Sequence, residues 1–200
     1  MRSPLHRLFV ALAALVLASS AALGQKPPET PKPPDAQSAY EPRSGPGSGQ
    51  KFLEKLAGDW DVVKTFYPKT GDPVKSSGRA HQAMINEGRF LQSDFTFEGP
   101  SGKTTGLGLI GFEPESGLFT SVWVDSRSTR MSLRRSETPF NGEKIVLFGK
   151  SLDEAAAAGR PRSRTSTHLE DGGRRLIHKQ YVPDADGKER LIMELLMTRQ

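Results

Sequence analysis

From Trp60 to the C-terminus, apolar residues recur at every second position instead of every third or fourth. Trp60, Val62 and Phe66 alternate with polar neighbours, and Leu91, Phe95 and Phe97 share one face of the run 89–97. Leu191, Met193, Leu195 and Met197 do the same near the end of the chain. A period of two puts successive side chains on opposite faces of a pleated strand. Comparable runs cover 79–85, 107–112, 118–125, 129–137 (Met131 and Leu133 on one face), 144–150, 163–169 and 174–182. Turn chemistry separates them: Pro-Glu-Ser-Gly at 114–117, Asn141-Gly142, Glu-Asp-Gly-Gly at 170–173, and 184–187. About ten short strands at this spacing predict an all-β sandwich or barrel. A meander leaves two open edges, and closure removes both. The fold expected is a single antiparallel up-and-down barrel.

Helical spacing is confined to the start. Phe52, Leu53 and Leu56 predict a turn or two of helix leading into Gly58-x-Trp60. The run 152–158, with four alanines, reads as a second short helix or as a loop.

The first 24 residues follow a different pattern. Arg2, His6 and Arg7 precede an apolar run of 11 residues, 8–18, and Ala22 and Gly24 sit at −3 and −1 to Gln25. This three-part pattern predicts a secretory signal peptide over 1–24 and a periplasmic or extracellular protein. An uncleaved anchor is the alternative, but spanning a bilayer takes about 20 apolar residues. No stable membrane span is expected after cleavage. Residues 25–50 hold seven prolines and almost no large apolar side chain, which predicts a disordered linker before a domain at 51–200.

Composition narrows the chemistry. The chain has no Cys, which excludes thiol catalysis and Cys-ligated metal. Removing Arg2 and Arg7 from the 28 Lys and Arg leaves 26 against 23 Asp and Glu, a net +3 that does not argue for nucleic acid. No Gly-x-Ser-x-Gly, phosphate-binding glycine loop or His-Glu-x-x-His occurs.

Leu-Ala-Gly-Asp-Trp at 56–60, Gly-Arg-Phe-Leu at 88–91, Gly-x-x-Gly-Phe-Glu at 108–113, and Trp-Val-Asp-Ser at 123–126 with Thr129 form a set. Gly-Lys-Glu at 187–189, with the closing Met-Glu and Thr-Arg, completes it. The set resembles the lipocalin-like, or calycin, barrels. More specifically, it is similar to the uncharacterised bacterial domain-of-unknown-function family fifteen seventy-nine. The sequence departs from that pattern at Phe112-Glu113, where Tyr-Asp is expected, and at Asn86-Glu87, where a second Gly is usual. The resemblance implies a lipocalin- or fatty-acid-binding-protein-like barrel in which Trp60 closes one end. It brings no activity.

Trp123 and Asp125 are the leading site candidates. They share a face with Phe119 and Ser121, a mixture that suits a cavity wall. The alternative role for Asp125 is to cap the turn after it. Glu194 lies between Met193 and Leu195, on the face of Ile192, Leu196 and Thr198, and needs a partner if buried; Arg89 and Arg199 are the candidates. In related fatty-acid carriers, arginines inside the barrel hold a ligand carboxylate, which makes Arg199 a candidate to orient a ligand. His81, His168 and His178 lie at no metal-binding spacing. His178 shares a face with Leu176 and Gln180 and is a weak candidate for a haem ligand. Neither metal nor other cofactor is expected. Between Arg127 and Lys179 there are twelve Lys or Arg against six Asp or Glu, Arg134 among them, which reads as solvated strand faces.

The expectation is therefore an exported barrel that binds a small apolar or amphipathic ligand, with Trp123, Asp125, Arg89, Arg199 and Glu194 around it. Two alternatives stand beside it. One is an isomerase or hydrolase using a carboxylate–histidine pair, and the other is an envelope interaction module with a basic face. Oligomeric state and ligand identity stay open.

Overall fold

The computed structural model describes residues 45–99, 102–150 and 162–200. A short helix, α1 (Ser48–Glu54), leads into β1 (Gly58–Phe66), β2 (Val74–Ile85), β3 (Phe90–Gly99), β4 (Gly102–Glu113) and β5 (Leu118–Asp125). β6 (Ser128–Arg135), β7 (Lys144–Lys150), β8 (Arg164–Glu170), β9 (Arg175–Pro183) and β10 (Glu189–Arg199) follow. Each strand pairs antiparallel with its sequence neighbours, and β1 pairs with β10, so the sheet closes. The ten strands coincide with the alternating runs. β2 and β4 begin earlier than expected because Val74–Gly78 and Gly102–Gly106 are polar or glycine-rich and carry no alternation. The expected signal peptide and most of the linker lie outside the described residues, as does the 152–158 segment.

The linker boundary expected at Gln50 falls inside α1. Two contacts bring these small residues into the domain. A Cβ on Gly49 would lie 2.2 Å from Phe112, so the missing side chain is where that ring sits. Gln50 accepts a hydrogen bond from the Gly47 N–H at 2.7 Å and donates to the Phe112 carbonyl at 2.8 Å. Phe112, one of the departures from the family pattern, thus holds the helix.

α1 plugs one end of the barrel. Leu53 and Phe119 are 0% and 1% exposed, and each contributes roughly 2–3 kcal/mol by burial. Phe140 packs edge-on against Phe52 at 5.0 Å and Phe119 at 5.1 Å. Behind the plug, fully buried Trp60 donates its indole N–H to the Leu56 carbonyl at 3.0 Å. The Arg199 guanidinium stacks 4.2 Å over the Trp60 ring and donates to the carbonyls of Ala57, Lys55 and Gly173. Gly58 is required by its φ of +134°, and a Cβ there would also lie 2.4 Å from Arg199 Nη1, displacing the end of that side chain. The Gly-x-Trp signature and the final arginine are therefore one device that ties the chain ends together.

β1 turns Trp60, Val62 and then Lys64 inward, while Phe66 emerges 46% exposed at the far rim. Between β6 and β7 the described residues give three registered pairs, Leu133↔Lys150, Arg134↔Gly149 and Arg135↔Phe148.

Candidate functional site

The inward-facing side chains surround a cavity of about 320 Å³ that runs from Leu56 at the plug to Lys64, Thr104 and Arg127 at the opposite end. Its wall is mostly apolar, with Leu91, Phe95, Phe97, Trp123, Leu176 and Leu195 prominent. The size is at the lower end of small-molecule sites, about 300–1,000 Å³.

Trp123 owes its position to glycines on the neighbouring strand. A Cβ on Gly106 would lie 2.2 Å from the indole, and one on Gly108 would lie 3.3 Å away. The indole lies over this bare stretch of β4 and meets Phe95 edge-on at 5.5 Å. Its Nε1–H donates to Asp125 Oδ2 at 3.0 Å. Asp125 also accepts from the Arg127 backbone N–H at 2.9 Å and from the Arg127 guanidinium at 2.8 and 3.2 Å. Asp125 therefore does both things the sequence allowed, capping the β5–β6 turn and facing the cavity. The hydrogen bonds from Arg127 outweigh burial and, with that from Trp123, hold its carboxyl well below the usual carboxylate range. Lys64 lies 4.2 Å over the Phe97 ring, and burial, then Arg127, lower its pKa.

The other polar groups gather on the wall made by β5, β6, β8 and β9. Ser121 is paired across the strands with Arg134, and both line the cavity. Thr167 Oγ1 and His178 Nδ1 share a 2.8 Å hydrogen bond. His178 is half-buried by accessible surface, because what it touches is the cavity rather than bulk water. Burial, and then the charge of Arg134, push its pKa down to about 4, so the ring is neutral at pH 7. The Arg134 Nε is buried with no hydrogen-bond partner, and burial lowers the pKa of the guanidinium. Nearer the plug, Gln82 and Ser93 satisfy each other at 2.8 Å, and Gln82 donates to the Leu56 carbonyl at 3.1 Å.

The structure brings Trp123, Asp125 and His178 together in the cavity lining and places the other candidates elsewhere. Arg89 lies in the β2–β3 turn, bonded to Glu87 at 2.8 Å and to the Asn86 carbonyl at 3.3 Å. Asn86 and Glu87 both take left-handed φ, 50° and 57°, and Arg89 braces that turn. Arg199 belongs to the Trp60 closure, with its donors spent on backbone carbonyls. Glu194 points outward, since its neighbours Met193 and Leu195 line the cavity. Its partner is Lys179 at 3.2 Å, neither of the arginines.

His81 bonds Asp59 at 2.7 Å and His168 bonds Glu170 at 3.1 Å, but neither pair lines the cavity. Thr167 occupies Nδ1 of His178, which leaves Nε2 as the nitrogen available to coordinate. Among the described residues no three His, Asp or Glu side chains gather into a metal-binding group.

The residue that sequence reasoning left among surface charges is Arg134. Alternation grouped Met131 with Leu133 as the apolar face of β6, yet Met131 is 62% exposed and Ser132 and Arg134 line the cavity. The signal lay across the strands: Trp123 and Ser121 pair with Ser132 and Arg134, and directly paired residues share a face.

Comparison with solved structures places the barrel among known folds. It superposes on a protein of M. tuberculosis, Rv2717c, with a TM-score of 0.56 at 15% identity, covering 78% of this chain and 99% of that one. It also matches an S-type phycobiliprotein lyase, CPES, from Guillardia theta at a TM-score of 0.49 and 8% identity, covering 84% and 98%. A search of the curated proteins found no match. A family model described as "Protein of unknown function (DUF1579)" matches residues 45–199, nearly all of the described barrel, and the chain belongs to that family.

Proposed function

We propose that this barrel holds a small amphipathic molecule, largely apolar, in its interior. The observation that carries this reading is the cavity of about 320 Å³, whose wall combines apolar side chains such as Leu91, Phe95, Trp123 and Leu195 with polar groups, most of them on β5, β6, β8 and β9. Trp123 and Asp125 form the part of the wall next to the β5–β6 turn. Among the described residues the two carboxylate–histidine hydrogen bonds, Asp59–His81 and Glu170–His168, lie outside the cavity, and inside it His178 bonds Thr167 and not Asp125. A basic docking face has less support than the cavity, because several of the outward arginines are neutralised in place. Arg164 pairs with Glu189, Arg162 with Glu137, and Arg135 with Glu113. The signal-like pattern of the first 24 residues supports an exported location for this binding function.

The test begins with native mass spectrometry and an absorbance scan on protein purified gently from its own host. The expected result is a non-covalent apolar mass released on denaturation and no absorption band near 400 nm. Emptied protein is then titrated with the neutral fluorophore N-phenyl-1-naphthylamine. Saturable one-to-one uptake is expected. A protein that arrives empty and leaves the fluorophore in water does not bind in the way proposed.

A further inference from the structure

The cavity wall contains a cation without a counter-charge. Arg134 projects inward from β6, and among the described residues no carboxylate lies within ion-pair distance of it. Its Nε is buried and unpartnered. Asp125 is the only carboxylate among the described cavity-lining residues, and Arg127 and Trp123 already engage it. The groups around Arg134 are neutral. Ser121 is its cross-strand partner, and the Thr167–His178 pair comes from the facing strands. A guanidinium in an apolar interior is costly unless paired, and it cannot shed its proton at neutral pH. The planar fork of donors left free there matches the geometry of a carboxylate.

We propose that Arg134 docks a single carboxylate on the ligand, so that the barrel selects amphipathic acids over neutral molecules of the same shape. This rests on the interior-binding reading and narrows it to a ligand class. Lys64, the other lining cation without an ion pair among the described residues, stands over Phe97 at the far end of the cavity, so a group docked at Arg134 meets one positive charge beside a neutral imidazole, which suits a monoanion instead of a dianionic phosphate. The hydroxyls of Ser121 and Thr167 are on hand to donate to the second carboxylate oxygen. The apolar tail then lies along Leu176, Leu195 and Phe95, against the Trp123 indole.

The experiment displaces N-phenyl-1-naphthylamine from the full-length protein with decanoate, decanol and decyl phosphate at neutral pH. Decanoate is expected to displace it about tenfold better than decanol, the scale of one charge-assisted hydrogen bond. Arg134→Gln should abolish that preference and leave decanol unchanged, Arg134→Lys should retain part of it, and Lys64→Gln should keep it whole. Equal displacement by acid and alcohol in the wild type overturns the proposal, as does a preference that survives Arg134→Gln or vanishes with Lys64→Gln. Decyl phosphate binding better than decanoate overturns the assignment to a carboxylate. These outcomes leave the interior-binding reading standing, because the fluorophore has entered. Failure of the fluorophore to enter defeats both. The melting temperature of Arg134→Gln supplies a check without ligand. It should be no lower than that of the wild type, since the change removes an unpartnered buried cation. A lower value assigns Arg134 to the scaffold and also overturns the proposal.

Discussion

At single positions the same residue type takes opposite roles according to what faces it. Arg199 spends its donors on three backbone carbonyls and covers Trp60, while Arg134 faces a cavity and its buried Nε has no partner among the described residues. His81 is exposed beside a carboxylate, whereas His178 is enclosed beside a cation. The second arrangement has a pH consequence. His178 has a folded pKa of about 4 against 6.5 for a free ring, so the unfolded chain binds more protons between those values. Its contribution is therefore complete above pH 6.5 and declines as pH falls towards about 4, by up to about 3 kcal/mol. Other titratable groups face the same space: Arg134 on β6, Lys64 on β1, and the Asp125–Arg127 pair at the β5–β6 turn. None of these changes charge between pH 4 and 7. Urea denaturation of the wild type and His178→Gln across that interval should show the difference in stability narrowing, or reversing, towards the acid end. A parallel pH dependence in the two proteins contradicts this assignment.

Strands in this barrel are shaped by their neighbours as much as by their own alternation. β4 reads as a weak strand, Gly-Lys-Thr-Thr-Gly-Leu-Gly, yet Gly106 and Gly108 form the bare surface that receives Trp123. Gly106→Ala puts a methyl group where the indole lies, so the ring must move. A cost of about 1–3 kcal/mol follows from overpacking of this kind. Trp123 emission should shift to the red, and N-phenyl-1-naphthylamine uptake should fall, while fully buried Trp60 keeps its emission. Unchanged emission would mean that the glycine is not the socket. Gly49 does for α1 what Gly106 does for β5, and in both cases an aromatic ring occupies the space of the absent side chain.

The closed sheet has unequal seams. β3 and β4 share ten registered pairs, from Phe90↔Gly111 to Gly99↔Gly102, whereas β6 and β7 share three among the described residues. Few ladder bonds and half-exposed surroundings mark a region of low local stability. Amide hydrogen exchange should therefore be slowest in β3, where Phe90–Glu98 are registered with strands on both sides, and faster at the exposed residues Thr129, Arg130 and Met131, which lie in the irregular stretch of the β5–β6 pairing. Exchange at this seam should slow when decanoate is added, since Arg134 lies on it. Uniform protection around the barrel would remove the distinction.

Much of this architecture is legible in the chain. A period of two with regular turn residues determines ten antiparallel strands, because pleat geometry imposes that period on any strand with one buried face. Closure follows from the absence of a way to cover two edges, and Gly58-x-Trp60 marks where the plug meets the barrel. The cavity lining was partly legible, since Trp123, Asp125 and His178 sit on faces that alternation assigns correctly. Arg134 was not. Its position depends on the register between β5 and β6, which pairs Ser121 with Arg134 and sets Met131 outside. Arg199 and Glu194 show the same limit, because their partners stand 142 and 15 positions away along the chain, at Ala57 and Lys179, whereas the partner of Arg89, Glu87, lies in its own turn. Alternation is a local property, carried by each strand separately. Which charge meets which partner, and which is left facing a cavity, is decided when strands distant in sequence come into register.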